Sequence, residues 1–190
     1  MSGERFDLQR IVPQPWKNGA GLTREIAFGG ANAAAFDWRV SVAEVARDAP
    51  FSAFHGIDRC ITLLDGPGMR LRSQDGAIDH ALTVPLAPFR FPGDLALTAT
   101  LVGGACSDFN VMTRRGHWRS EVSVHRVAAE LPGSAAALLL CCAGEWAVGA
   151  ESLVPGQGVL WREPVEALRV RPLVAHGALL FVRLCHDREP

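Results

Sequence analysis

The segment Asp108-Phe109-Asn110-Val111-Met112-Thr113-Arg114-Arg115 carries an acid, an amide, a thioether and a guanidinium at alternate positions. Read as a strand, it turns Asp108, Asn110, Met112 and Arg114 to one face and Phe109, Val111 and Thr113 to the other. Either the strand lines a polar cavity inside an apolar protein, or it is an edge strand whose polar face meets water. Other segments repeat the pattern. In Trp38-Arg39-Val40-Ser41-Val42-Ala43 the bulky Trp38, Val40 and Val42 share one side, which leaves room around Arg39, Ser41 and Ala43 on the other. The turn Pro15-Trp16-Lys17-Asn18-Gly19-Ala20-Gly21 feeds a strand in which Thr23 and Glu25 lie opposite Arg24 and Ile26. A loop from Pro50 ends in Asp58-Arg59 at a strand start.

A buried guanidinium is costly unless it is paired and hydrogen-bonded, so inward arginines must face acids or an anionic ligand. Arginine forks fit carboxylates, and Lys17 is the one lysine in the chain. The candidate ligand-binding set is therefore Lys17, Asn18, Thr23, Arg24, Glu25, Arg39, Ser41, Asp58, Arg59, Asp108, Asn110 and Arg114. The competing reading is a closed polar network in which Glu25, Asp58 and Asp108 neutralise Arg24, Arg39, Arg59 and Arg114.

Other chemistries find little support. A barrel metal site needs a His-x-His pair on one strand face, and none is present. His55, His80, His117, His125, His176 and His186 are scattered, so neither metal nor cofactor is expected. There is no G-x-S-x-G elbow and no tyrosine, and the glycine turn at Gly19-Ala20-Gly21 precedes no helix pattern. No catalytic residue is assigned.

The elements that must position these side chains are strands. Nineteen glycines and twelve prolines punctuate short apolar or alternating runs. Thirteen strands are predicted: Thr23–Phe28, Trp38–Val45, Arg59–Leu64, Gly68–Arg72, Ala81–Val84, Leu95–Leu101, Asp108–Arg114, Ser120–Arg126, Ala136–Cys142, Glu145–Val148, Gly158–Arg162, Ala167–Val170 and Ala178–Leu184. Helical periodicity at Val42–Asp48 is outweighed by its valines and by Ala49-Pro50. Two stretches share an outline. Ile61–Leu71 turns at Gly66-Pro67-Gly68 and is followed by Phe91-Pro92-Gly93-Asp94; Leu138–Val148 turns at Gly144 and is followed by Val154-Pro155-Gly156-Gln157. The expected fold is all-β: a jelly-roll or cupin-type (double-stranded β-helix) barrel, repeated twice. It would form one compact unit over 1–190 with halves near 1–115 and 116–190.

Composition narrows the partners. With 190 residues, 48% of them apolar, and a net charge of −1, the chain can build a core but offers no electrostatic footprint for nucleic acid. Its longest apolar run is too short to span a bilayer as a helix. Met1 to Asp7 lack a basic-then-apolar leader pattern, and five cysteines without CxxC spacing read as reduced thiols. A cytoplasmic protein is expected; the sequence leaves its oligomeric state open, with a homodimer paired through edge strands as one option.

The ordered segments also resemble a known family. Pro15–Gly21 with Thr23-Arg24-Glu25-Ile26, Trp38-Arg39-x-Ser41-x-Ala43, Pro50-Phe51-Ser52-x-Phe54-x-Gly56-x-Asp58-Arg59, Leu63-Leu64-x-Gly66-x-Gly68, Phe91-x-Gly93-Asp94 and Asp108–Met112 with Arg114-Arg115 are similar to motifs of the HutD/Ves family, small bacterial proteins linked to histidine utilisation. The likeness covers Ile11 to Arg115. Ala20, Ala49 and His55 depart from the family pattern and bear on turn shape more than on charge. The resemblance implies a bicupin without the usual metal ligands, which binds a small acid such as formylglutamate and tunes histidine catabolism without catalysis. Two alternatives stay open. One is a metal-free cupin isomerase or hydrolase using Glu25, Asp58, Asp108 or His55 as acid or base. The other is an interaction module for a protein partner.

Overall fold

The computed structural model describes residues 3–187. Among these, the strands in chain order are β1 (Glu4–Asp7), β2 (Gln14–Pro15), β3 (Gly21–Asn32), β4 (Ala35–Val45), β5 (Ala49–Phe51), β6 (Ile57–Asp65), β7 (Met69–Ser73), β8 (Asp79–Leu82), β9 (Pro88–Pro92) and β10 (Leu97–Leu101). They continue as β11 (Cys106–Arg114), β12 (Trp118–His125), β13 (Ala129–Leu131), β14 (Ala136–Ala143), β15 (Trp146–Val148), β16 (Glu151–Leu153), β17 (Gln157–Trp161), β18 (Leu168–Pro172) and β19 (Ala178–His186). The helical content described is a single 3-10 turn at Leu8–Arg10, capped by the Asp7 carboxylate, which accepts the Gln9 N–H at 2.9 Å. The fold is all-β, and no described helix is long and apolar enough to cross a membrane.

The chain divides into two compact units. One holds β2 to β11; the other holds β1 and β12 to β19. In the first unit the sheets run β2-β3-β4-β11-β6-β9 and β5-β10-β7-β8; in the second they run β1-β17-β14-β19-β12 and β13-β18-β15-β16. Strip the added strands β1, β2 and β3, and advance every strand number of the first unit by eight: its order β4-β11-β6-β9 over β5-β10-β7-β8 becomes that of the second. The outline shared by Ile61–Leu71 and Leu138–Val148 reflects this repeat, since each is the same β6–β7 or β14–β15 corner turned at a positive-φ glycine.

The two units fill their interiors differently. In the second, Leu131, Leu139, Trp146, Trp161, Leu179 and Phe181 form one apolar cluster. In the first, Val45, Ile61, Leu63, Met69, Leu71, Leu97 and Ala99 fill only part of the space between the sheets. Ladder register shows where they diverge. Asn110 stands opposite Ile61, Asp108 opposite Leu63 and Met112 opposite Arg59. The corresponding pairs on β19 and β14 are Phe181 with Leu139, Leu179 with Cys141 and Arg183 with Ala137. The positions of Asn110, Asp108 and Arg59 are thus taken in the second unit by Phe181, Leu179 and Ala137.

Candidate ligand-binding site

Alternation along three neighbouring strands builds a polar wall. On β4 the bulky Trp38, Val40 and Val42 are buried on one face, so Arg39, Ser41 and Ala43 point to the other. β11 lies beside it with Asp108 opposite Ala43, Asn110 opposite Ser41 and Met112 opposite Arg39. β6 completes the row by setting Arg59 beside Met112. These residues line a cavity of about 420 Å³ in the first unit, closed by Pro15, Trp16, Lys17 and Asn18 from the β2–β3 turn and by Phe51, Ser52 and Phe54 from β5 and the loop after it. Its size lies within the usual range for small-molecule sites.

Arg59 is 5% exposed, yet no carboxylate hydrogen-bonds it. Its Nη1 donates a long 3.4 Å hydrogen bond to the Ser52 carbonyl, and its Nε has no partner. Three rings surround the guanidinium, with centroids at 5.4 Å (Phe51), 5.6 Å (Phe54) and 5.0 Å (Phe91). Such cation–π contacts offset part of the lost hydration. Burial, against the opposing pull of the Asp108 charge and with a smaller push from Arg39, still lowers its pKa to about 10. The stem is held by Gly93, where a Cβ would lie 2.7 Å from the Ile57 carbonyl and 3.3 Å from Arg59 Cδ.

Asp108 is fully buried, and neither carboxylate oxygen has a hydrogen-bond partner in the protein. Its ladder neighbours Ala43 and Leu63 offer no side-chain donor. Burial therefore pushes its pKa up to about 7, against the pull of the Arg59 charge. Asn110 Oδ1 is likewise buried and unpartnered. Buried polar groups in native proteins are nearly always satisfied, and four of the unpartnered atoms among the described residues, Arg59 Nε, both Asp108 oxygens and Asn110 Oδ1, belong to residues lining this one cavity.

The rim is more conventional. Arg39 Nε donates to Glu25 at 2.7 Å, and both side chains are partly exposed. Trp16 Nε1 donates to Thr23 Oγ1 at 2.7 Å, which pins the turn to β3. Asn18 accepts the Ala20 N–H at 3.0 Å and so shapes that turn, while Lys17 is exposed on the cavity wall. The Phe54 loop is anchored at its base. The Asp94 carboxylate accepts the Gly56 N–H at 2.9 Å and an Arg115 hydrogen bond at 2.7 Å, which hold its pKa down at about 2.

Of the candidate set, Lys17, Asn18, Thr23, Arg39, Ser41, Arg59, Asp108 and Asn110 converge on this cavity. Four do not line it. Arg24 is engaged by Glu44, and Glu25 by Arg39. Asp58 points away from Arg59 and takes Arg115 Nη2 at 2.6 Å. Arg114 donates to Asp37 at 3.0 Å and to the Phe36 carbonyl at 2.8 Å. Among the described residues no group of three or more His, Cys, Asp or Glu could hold a metal ion.

The model of the HutD family matches residues 8–178. The chain belongs to the HutD family. It is 37% identical to Protein Ves of Citrobacter koseri over 179 residues, 94% of this chain and 92% of that one. The solved structure of HutD from Pseudomonas fluorescens SBW25, in a formate condition, is 27% identical, with a TM-score of 0.83 and coverage of 97% and 98%. A conserved protein of unknown function from Pseudomonas aeruginosa PAO1 is 28% identical, with a TM-score of 0.84 and coverage of 97% and 100%. A cupin 2 conserved barrel protein from Leptotrichia buccalis, 8% identical with a TM-score of 0.61 over 96% and 97%, places the fold among cupin-like β structures.

In this HutD-family chain the wall residues absent from the candidate set are Pro15, Trp16, Ala43, Pro50, Phe51, Ser52, Phe54 and Met112. Phe91 completes the ring cage from β9. The motif Pro50-Phe51-Ser52-x-Phe54 held the signal: two aromatics in a loop next to Asp58-Arg59 supply ring faces for a guanidinium. Met112 was legible from its parity with Asp108 and Asn110.

Proposed function

We propose that this HutD-family protein is a non-enzymatic binding protein for a small carboxylate metabolite, formylglutamate or a similar acid, and that it modulates histidine utilisation. In the same reading its two units are cupin-type barrels: the first keeps an open, charged lumen and the second is filled with apolar side chains. The observation that carries the reading is Arg59, a buried, ring-caged guanidinium with no acid hydrogen-bonded to it, facing a cavity it shares with Arg39 and Lys17. A ligand carboxylate would supply the missing acceptor, and each charge-assisted hydrogen bond contributes roughly 1.5–3 kcal/mol. Two or three such contacts are enough for micromolar to millimolar binding.

The test is thermal denaturation with a panel of carboxylates that includes formylglutamate. At about 100 times Kd a ligand adds about 2.7 kcal/mol, which for a chain of this length is a rise of roughly 5–10 °C. Arg39→Ala is expected to shrink that rise. A flat profile across the panel would remove the reading. A second reading, a metal-free enzyme, draws on Asp108, whose pKa near 7 suits an acid or base at neutral pH. It requires turnover of a pathway acid by the purified protein.

A further inference from the structure

We propose that Asp108 determines specificity in this cavity: the preferred ligands are small acids that also carry an N–H donor (an ammonium or amide group), which Asp108 accepts while Arg59 takes the carboxylate. The inference rests on the reading of the cavity as an acid site and goes beyond it by naming what the second end of the ligand must be. An acid-binding pocket needs donors. Asp108 contributes the opposite, two fully buried acceptor oxygens with no partner in the protein, and Asn110 Oδ1 adds a third buried acceptor. A plain dicarboxylate would satisfy Arg59 and leave Asp108 both unpaired and repelled. A ligand with a carboxylate and a nearby N–H satisfies both.

The placement suits such a ligand. Asp108 lies four residues from Met112, the ladder neighbour of Arg59, and Asn110 stands between. At about 3.3 Å per residue the backbones of Asp108 and Met112 lie ~13 Å apart, and the long Arg59 side chain, whose charge reaches Asp108, closes part of that distance, so that a ligand of a few carbon atoms has only the remainder to span. The groups surrounding Asp108 leave the donor role open. Arg59 on β6 acts on it through its charge without a hydrogen bond. Arg39 on β4 is occupied by Glu25 on β3, and Lys17 is exposed on the β2–β3 turn. Cys106 on its own strand is a neutral thiol whose pKa is pushed up to about 11. Met69, Leu71, Leu97 and Ala99 on the opposing sheet are apolar.

The experiment is calorimetric titration of the full chain with two matched pairs, glutarate against L-glutamate and succinate against L-aspartate, near pH 6 and pH 8. In at least one pair the amino acid is expected to bind about ten-fold or more tightly near pH 8, the value of one charged hydrogen bond. An N–H donor favours ionised Asp108, so amino-acid affinity rises with pH; a plain acid favours protonated Asp108, so its affinity falls. Asp108→Asn, nearly isosteric and without the buried charge, is expected to weaken the amino acid and tighten the plain acid, collapsing the ratio toward one. Equal affinities within both pairs near pH 8, or a ratio that survives Asp108→Asn, overturn the role of Asp108 and leave the acid site standing. Failure of all four compounds to bind overturns the acid site, and this inference with it.

Discussion

Replacing Arg59 with methionine separates a residue that holds a fold from one that holds a ligand. Arg59 has three ring neighbours and a single long hydrogen bond to the Ser52 carbonyl. Losing the cation–π contacts costs up to about 2 kcal/mol at a desolvated site. A methionine thioether against the same rings returns roughly 0.3–1.5 kcal/mol. Removing a buried N–H that has no partner returns a further 1–3 kcal/mol or so. The net is close to zero. Arg59→Met is therefore expected to melt within about 4 °C of the parent without ligand, taking roughly 2–4 °C per kcal/mol for a chain of this size. Binding should suffer far more. A forked contact of two charge-assisted hydrogen bonds is worth roughly 3–6 kcal/mol, or two to four decades in Kd, so the ligand-induced rise in melting temperature should vanish. Differential scanning fluorimetry with and without ligand, backed by calorimetry, measures both halves. A loss of more than about 8 °C in the ligand-free variant would make Arg59 a structural keystone and refute the reasoning. A ligand shift that persists in a well-folded variant would refute it equally.

Two further outcomes follow from the same geometry. The pKa of Asp108 is raised from the ordinary carboxylate value of 3.8 to about 7, so between those limits the unfolded chain releases a proton that the fold retains. Stability contributed by this group therefore falls as pH rises from about 4 to 7, by an amount on the order of a few kcal/mol, and stays flat above. Asp108→Asn should flatten that slope in denaturant titrations at stepped pH. At Gly93 an added Cβ would meet the Ile57 carbonyl at 2.7 Å and the Phe54 carbonyl at 3.1 Å. Gly93→Ala is expected to cost about 1–3 kcal/mol and to weaken ligand binding with it, because the displaced segment carries Phe54 and abuts Arg59; paired melting and calorimetry check both effects.

The strands that the sequence hid share one physical feature. Each of the thirteen predicted strands overlaps an observed one, and every sheet-interior strand was legible. The six that went unread, β1, β2, β5, β9, β13 and β16, all sit at the edge of a sheet. An edge strand is paired on one side only, so it tolerates proline and exposure, and its residues need not alternate cleanly. β9, with Pro88 and Pro92 at its ends, and β5, with Pro50 at its centre, show this directly. The site was legible to the extent that parity reports it. Arg39, Ser41, Asp108 and Asn110 reach the wall because strict alternation put them there. Of the ion pairs, Arg39 with Glu25 lay within the closed-network reading; the others were not legible, because they depend on which distant residues the sheets bring together. Glu44 takes Arg24, Asp37 takes Arg114, and Asp58 turns to Arg115 instead of its chain neighbour Arg59.

The ring cage has a kinetic corollary. Phe51, Phe54 and Phe91 hold the Arg59 guanidinium without letting it close onto the Asp108 carboxylate, so these opposite charges stand apart before any guest arrives. An incoming acid has no internal ion pair between them to break, and little side-chain freedom is surrendered when it docks. Capture should run at a rate set by diffusion and by the local positive field, with selectivity expressed in how slowly the right guest leaves.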